Sequence, residues 1–146
     1  MSSTPNHTIG HVHLKVRDVE RSIAFYTDVF DLAVRERYDR FAFLSWGDQH
    51  HDLALQEVGS AAATPGPGVG LYHAAIEVDS RNALAEVAET LRDREVSVSP
   101  VDHGISKALY FDDPDGNGLE AYLDTRESND RTEWNGINQS FDPTAL

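Results

Sequence analysis

The sequence predicts an α+β protein of two tandem βαβββ modules, whose strands form a curled mixed sheet around a metal-binding cleft. Three observations predict it. A strand pattern, a helix pattern and three more strand patterns occur in that order twice. A stretch of small residues, GSAAATPGPGVG at 59–70, separates the two runs and has the composition of a linker. The openings of the runs also superpose, HVHLKVRD from His11 on HAAIEVDS from His73, so the two histidines occupy equivalent places.

The elements follow in order. Ile9 to Val16 alternates apolar and polar residues and reads as a half-buried strand. Asp18 is placed to cap a helix over Val19 to Val29. Its apolar stripe is Ile23, Phe25, Tyr26, Val29 and Phe30. A break near Asp31 precedes strands at Arg35–Tyr38, Phe41–Trp46 and Asp52–Val58. In the second run, Leu71–Val78 reads as a strand and Asn82–Arg94 as a helix with Leu84, Val87, Ala88 and Leu91 inward. Strands are expected at Val96–Val98, Ala108–Phe111 and Leu119–Leu123. Module 1 then covers about 7–58, the linker 59–70, module 2 about 71–125 and a polar tail 126–146, within one domain. Trp134 and Phe141 are the tail's lone apolar anchors.

Composition narrows the function. The chain has 146 residues, a net charge of −13 and no cysteine. Disulfides, thiolate metal sites and cysteine nucleophiles are excluded. Nucleic acid is not an expected partner, because phosphate neutralisation needs a basic patch. No apolar run is long enough to span a membrane. The opening MSSTPNHT lacks the pattern of a secretory signal, so a cytoplasmic location is expected.

The turn DPDGNG joins two strand patterns, as in a hairpin. Centred near Asp115, the register makes Tyr110 and Glu120 cross-strand neighbours. Alternation alone would turn Leu119, Ala121 and Leu123 to the core and Glu120 to water. The histidines give another reading. In the expected fold the first strands of the two modules lie centrally, so His11 and His73 face one cleft with Glu120 as a third group. Alternation cannot separate His11 from His13; the repeat selects His11. Two imidazoles and one carboxylate form the facial triad of non-haem iron(II) sites, which leaves positions open.

The chain resembles the vicinal oxygen chelate superfamily of glyoxalase I, bleomycin- and fosfomycin-resistance proteins and extradiol dioxygenases. The resemblance runs from about Ile9 to Asp124. GHVHLKVRDVERSIAFYTDVFDL is similar to the family's opening. Three stretches resemble the catechol 2,3-dioxygenase-like branch: HDLAL at His51–Leu55, HGISKALYF at His103–Phe111 and DPDGNGLE at Asp113–Glu120. The resemblance implies His11, His73 and Glu120 as ligands of Fe(II), with Mn(II) compatible with the same set. It implies His51 as the acid/base histidine, Tyr110 as the active-site tyrosine and His103 as a substrate- or oxygen-site histidine. The implied reaction is extradiol cleavage of a catechol-type diol with O2, by a homodimer or larger homo-oligomer. Extradiol enzymes of the larger kind have four such units per chain; this chain has two.

Two other activities fit these residues less well. A glyoxalase I-like isomerase needs a second carboxylate on the last strand of module 1. The position equivalent to Glu120 falls near Ala54, and Glu57 is out of phase. A bleomycin-resistance-like binder would suit the acidic charge but has no need of the histidines and Tyr110 together. His50 is expected on the opposite face from His51.

Overall fold

The structure is a computed structural model that describes residues 5–146. It is an α+β fold with two mixed sheets and few helices. The chain divides into two compact units. One takes the chain through Thr27 together with Asp31–Ala62; the other takes Asp28–Phe30 and Ala63–Leu146.

In the first unit β1 is Val12–Val16, α1 Val19–Phe30, β2 Ala33–Tyr38, β3 Phe41–Ser45 and β4 Leu53–Glu57. The sheet order is β1-β4-β3-β2, with β1 parallel to β4. Asp18 caps α1, its side chain accepting from the Arg21 N–H. Asp31 ends the helix in the left-handed region at φ 55°, where aspartate is among the better-tolerated residues. The expected helix stripe is corrected at one place: Ser22 is fully buried and Ile23 only half-buried. Ser22, Phe25, Tyr26 and Val29 make the 3.6-residue stripe. The first strand begins at Val12, not Ile9. Its parallel partner β4 starts at Leu53, opposite Val12, so residues 9–11 have no ladder.

In the second unit β5 is Ala74–Val78, α2 Arg81–Asp93, β6 Ser99–Asp102, β7 Ser106–Asp112 and β8 Gly118–Asp124. A short helix α3 (Arg126–Asn129) and a strand β9 (Gln139–Ser140) follow. The sheet order is β5-β8-β7-β6-β9. Leu84, Leu91, Leu109, Leu119 and Ala121 form its buried core. The strand expected at Val96–Val98 is a second correction, since the strand lies at Ser99–Asp102. Glu95 sits at φ 59° and the Val96 N–H donates to Leu91 O at 2.9 Å. This closes α2 in a Schellman-type cap and commits that segment to the helix end. The tail is not bare: β9 pairs with β6, Ser140 opposite Val101 and Gln139 opposite Asp102. Among the described residues no helix is long and apolar enough to cross a membrane.

Candidate metal centre

The hairpin β7–β8 positions the carboxylate. Its turn is held by Asp113, whose Oδ1 accepts from the Asp115 and Asn117 N–H groups at 2.8 and 2.9 Å. The resulting register pairs Tyr110 with Glu120, as the turn chemistry predicts. Glu120 is only 9% exposed, so simple alternation toward water fails here. Its Oε1 lies 3.0 Å from His73 Nε2. His73 Nδ1 is buried with no hydrogen-bond partner. The Glu120 carboxylate oxygen and the His73 Nε2 that faces it are both donor types that a divalent cation accepts. The pair therefore fits a divalent cation by the chemistry of its donors.

Backbone closeness puts His73 there. A Cβ at Gly118 would stand 2.4 Å from Tyr72 O. Gly118→Ala must therefore push the Tyr72–His73 backbone away from β8. It is expected to cost about 1–3 kcal/mol and to move His73 away from Glu120. Urea unfolding checks this, and an unchanged midpoint would contradict it.

Beside His73 lies a cavity of about 890 Å³, with His73, His103, Tyr110, Tyr72, Trp134 and Asn138 among its walls. The volume is in the range of small-molecule sites. Another cavity, of about 630 Å³, lies against α2 and Pro143, away from these groups. Tyr110 OH is 2.7 Å from His103 Nε2. Burial first, then the Glu120 charge and a hydrogen bond to that carboxylate, pushes the Tyr110 phenol up to about 12. It stays protonated at neutral pH.

In the first unit, His51 lies beside His11, ring centroids 4.4 Å apart. His13 is engaged elsewhere, its Nε2 3.1 Å from Gln56 Oε1. The expectation for His50 is corrected. Residues 50 and 51 precede β4, so strand alternation does not apply, and His50 Nδ1 touches His51 Nδ1 at 3.0 Å. Glu36 Oε1 is 2.9 Å from His50 Nε2. With the carboxylate accepting there, a neutral His50 accepts at Nδ1 from His51 Nδ1–H. His51 Nε2 then carries a lone pair. Burial first, then the neighbouring histidines, holds the His51 pKa below 6.5.

The structure thus pairs His73 with Glu120, groups Tyr110 with His103, and sets His51 beside His11. Among the described residues no group of three or more His, Cys, Asp or Glu side chains could hold a metal ion. Sequence reasoning missed Glu36, Trp134 and Asn138. Nothing in the sequence marks Glu36. Asn135-Gly136 is a hairpin-turn signal that marks the segment holding the other two.

In the first unit, β1 and β4 set His13 opposite Ala54. In the second, Ala75 stands opposite Glu120. Each register partner lies two residues after its repeat histidine, so Ala54 is the counterpart of Glu120. Glu57 is used otherwise, its Oε1 accepting from the Val19 N–H at 3.1 Å.

The sequence model of the Glyoxalase/Bleomycin resistance protein/Dioxygenase superfamily matches residues 8–121. A Bacillus subtilis catechol-2,3-dioxygenase is 39% identical over 121 residues, 82% of this chain. This chain spans only 42% of that relative's length. A Rhodococcus globerulus biphenyl-2,3-diol 1,2-dioxygenase is 29% identical across this chain and 82% of its own. A probable lactoylglutathione lyase of Vibrio cholerae is 30% identical, over 79% of this chain and 89% of its own. Among solved structures, a glyoxylase/bleomycin resistance protein/dioxygenase domain from Frankia sp. EAN1pec superposes with a TM-score of 0.66. It is 29% identical, over 82% of this chain and 93% of its own.

Proposed function

Because the chain belongs to the glyoxalase/bleomycin resistance protein/dioxygenase superfamily, we propose that it is a non-haem iron(II)-dependent extradiol dioxygenase acting on catechol-type diols. The observation that carries this reading is the buried Glu120–His73 pair, with Tyr110 opposite the carboxylate. His73 and Glu120 are two of the proposed ligands and His11 is the third. Mn(II) suits the same hard donor set. The metal, when bound, supplies Lewis acidity and a template for diol and O2. The reaction inserts both atoms of O2 and opens the ring beside one hydroxyl-bearing carbon.

The chain's residues supply the rest. His51 Nε2 takes a proton from a catechol hydroxyl and later returns it. Tyr110 accepts a hydrogen bond from a substrate hydroxyl through its oxygen, and His103 orients substrate. The apolar surfaces of Tyr72, Val101 and Trp134 wall the cavity against the ring. The active form is a homodimer or larger homo-oligomer, which light scattering tests.

The lyase relative favours a second reading, a metal-dependent isomerase. Ala54 at the counterpart of Glu120 counts against it. The test is oxygen uptake on adding catechol to Fe(II)-loaded protein, beside S-lactoylglutathione formation by Ni(II)- or Zn(II)-loaded protein. Uptake with Fe(II) supports the dioxygenase. Lactoylglutathione formation without uptake would replace it with the isomerase.

The lowered His51 pKa has a stability consequence. Below pH about 6.5, the usual histidine value, the unfolded chain binds a proton that the folded chain resists. Stability therefore falls as pH drops through that value and is unaffected above it. Metal-free His51→Ala is expected to lose less stability than wild type between pH 7 and 5. Equal losses in urea titrations would contradict this.

A further inference from the structure

We propose that the C-terminal segment Trp134–Ser140 is a positioning clip that holds His103 as its Nδ1–H tautomer, with Nε2 accepting the Tyr110 hydroxyl proton. The inference rests on the dioxygenase reading for its catalytic consequence alone.

The clip begins at a tight turn. Asn135 and Gly136 have φ of 55° and 76°, and the Ile137 N–H faces Trp134 O at 3.3 Å. Two consecutive positive φ values are the type I′ pattern, which Asn-Gly favours. The turn brings Trp134 next to Ile137. The Ile137 carbonyl then accepts from Trp134 Nε1–H at 2.7 Å. At the far end β9 ties the segment to β6. The Ile137 side chain also lies against Gly104, where a Cβ would meet its Cδ1 at 3.2 Å.

The same Ile137 carbonyl lies 3.1 Å from His103 Nδ1. A carbonyl only accepts, so Nδ1 carries the hydrogen. In the neutral ring Nε2 is then an acceptor. Tyr110 OH, 2.7 Å away, is the donor. Trp134 packs edge-on to His103, centroids 6.0 Å apart at 84°, and fixes the ring plane. Tyr110 therefore directs its single proton to His103, at 2.7 Å, in competition with the Glu120 carboxylate, which also hydrogen-bonds the phenol and can only accept. A tail carbonyl thereby sets the direction of a hydrogen bond inside the cavity.

The test is ring-nitrogen NMR of ¹⁵N-histidine-labelled, metal-free full-length chain. Wild type should show His103 protonated at Nδ1 with Nε2 as acceptor. Gly136→Val, β-branched at a positive φ, should break the turn and give a mixture of tautomers. A Cβ at Gly136 meets no neighbour within 4 Å, so the rest of the spectrum should stay native. Gly136→Asn tolerates that φ and should restore the wild-type pattern. In the iron-loaded enzyme Gly136→Val should slow catechol turnover about tenfold or more, with metal content unchanged and Gly136→Asn rescuing. An Nε2–H tautomer in wild type, or an unaltered tautomer in Gly136→Val, would overturn the clip. The tautomer pattern and its loss in Gly136→Val, found in a chain that cleaves no catechol, would support the clip while removing the dioxygenase reading.

Discussion

Glu120→Gln is expected to bind iron at least about a hundredfold more weakly than wild type. Loss of an outer partner of a metal ligand already costs about 10–100-fold, and here a proposed ligand itself loses its charge. A neutral amide is a poor donor for a hard cation. The substitution keeps size and leaves the β7–β8 ladder intact, since Glu120 pairs with Tyr110 through backbone. Misfolding is therefore not the expected cause. An internal control accompanies the variant. The Glu120 charge helps to raise the Tyr110 phenol, so in Glu120→Gln that phenol should titrate at lower pH even without metal. Iron content after anaerobic loading and gel filtration checks the first effect, and ultraviolet titration of tyrosinate the second. Full iron retention would remove Glu120 from the ligand set.

His51→Ala gives the second large effect. Loss of a proton-transfer group costs about 10²–10⁴-fold in rate, and kcat is expected to fall by that range. Iron content and catechol binding should change little, because His51 is not a proposed ligand. The structure gives a reason for His51 rather than His50. Glu36 occupies His50 Nε2 and His50 Nδ1 faces His51, so the unengaged lone pair belongs to His51 Nε2. His51→Ala with normal steady-state turnover would remove the acid/base role.

Much of this was legible in the sequence where local chemistry decides the outcome. The DPDGNG turn fixes the hairpin, and the Tyr110–Glu120 register follows from it. Asp18 caps α1 as its residue type suggests. The repeat placed Ala54, not an acid, at the counterpart of Glu120, and the two ladders agree. Legibility ended where tertiary context decides. Val96–Val98 carries a strand composition, but the cap of α2 uses the Val96 N–H. His50 and His51 look like alternating strand residues, yet β4 begins after them. The tail is polar and gives little periodicity; its place comes from edge pairing with β6 and from one carbonyl on His103. The pairing of His73 with Glu120 was readable from the repeat and the hairpin. The addition of His11 to that pair rests on the repeat and on family resemblance.

The most direct measurement is the visible spectrum of a single reaction. Wild-type protein is loaded with Fe(II) without air, mixed with catechol, and then exposed to O2. A yellow ring-fission product that grows in wild type and is absent in Glu120→Gln is the predicted result. Iron-loaded wild type that yields no such product from catechol or from alkyl and aryl catechols would contradict the extradiol reading.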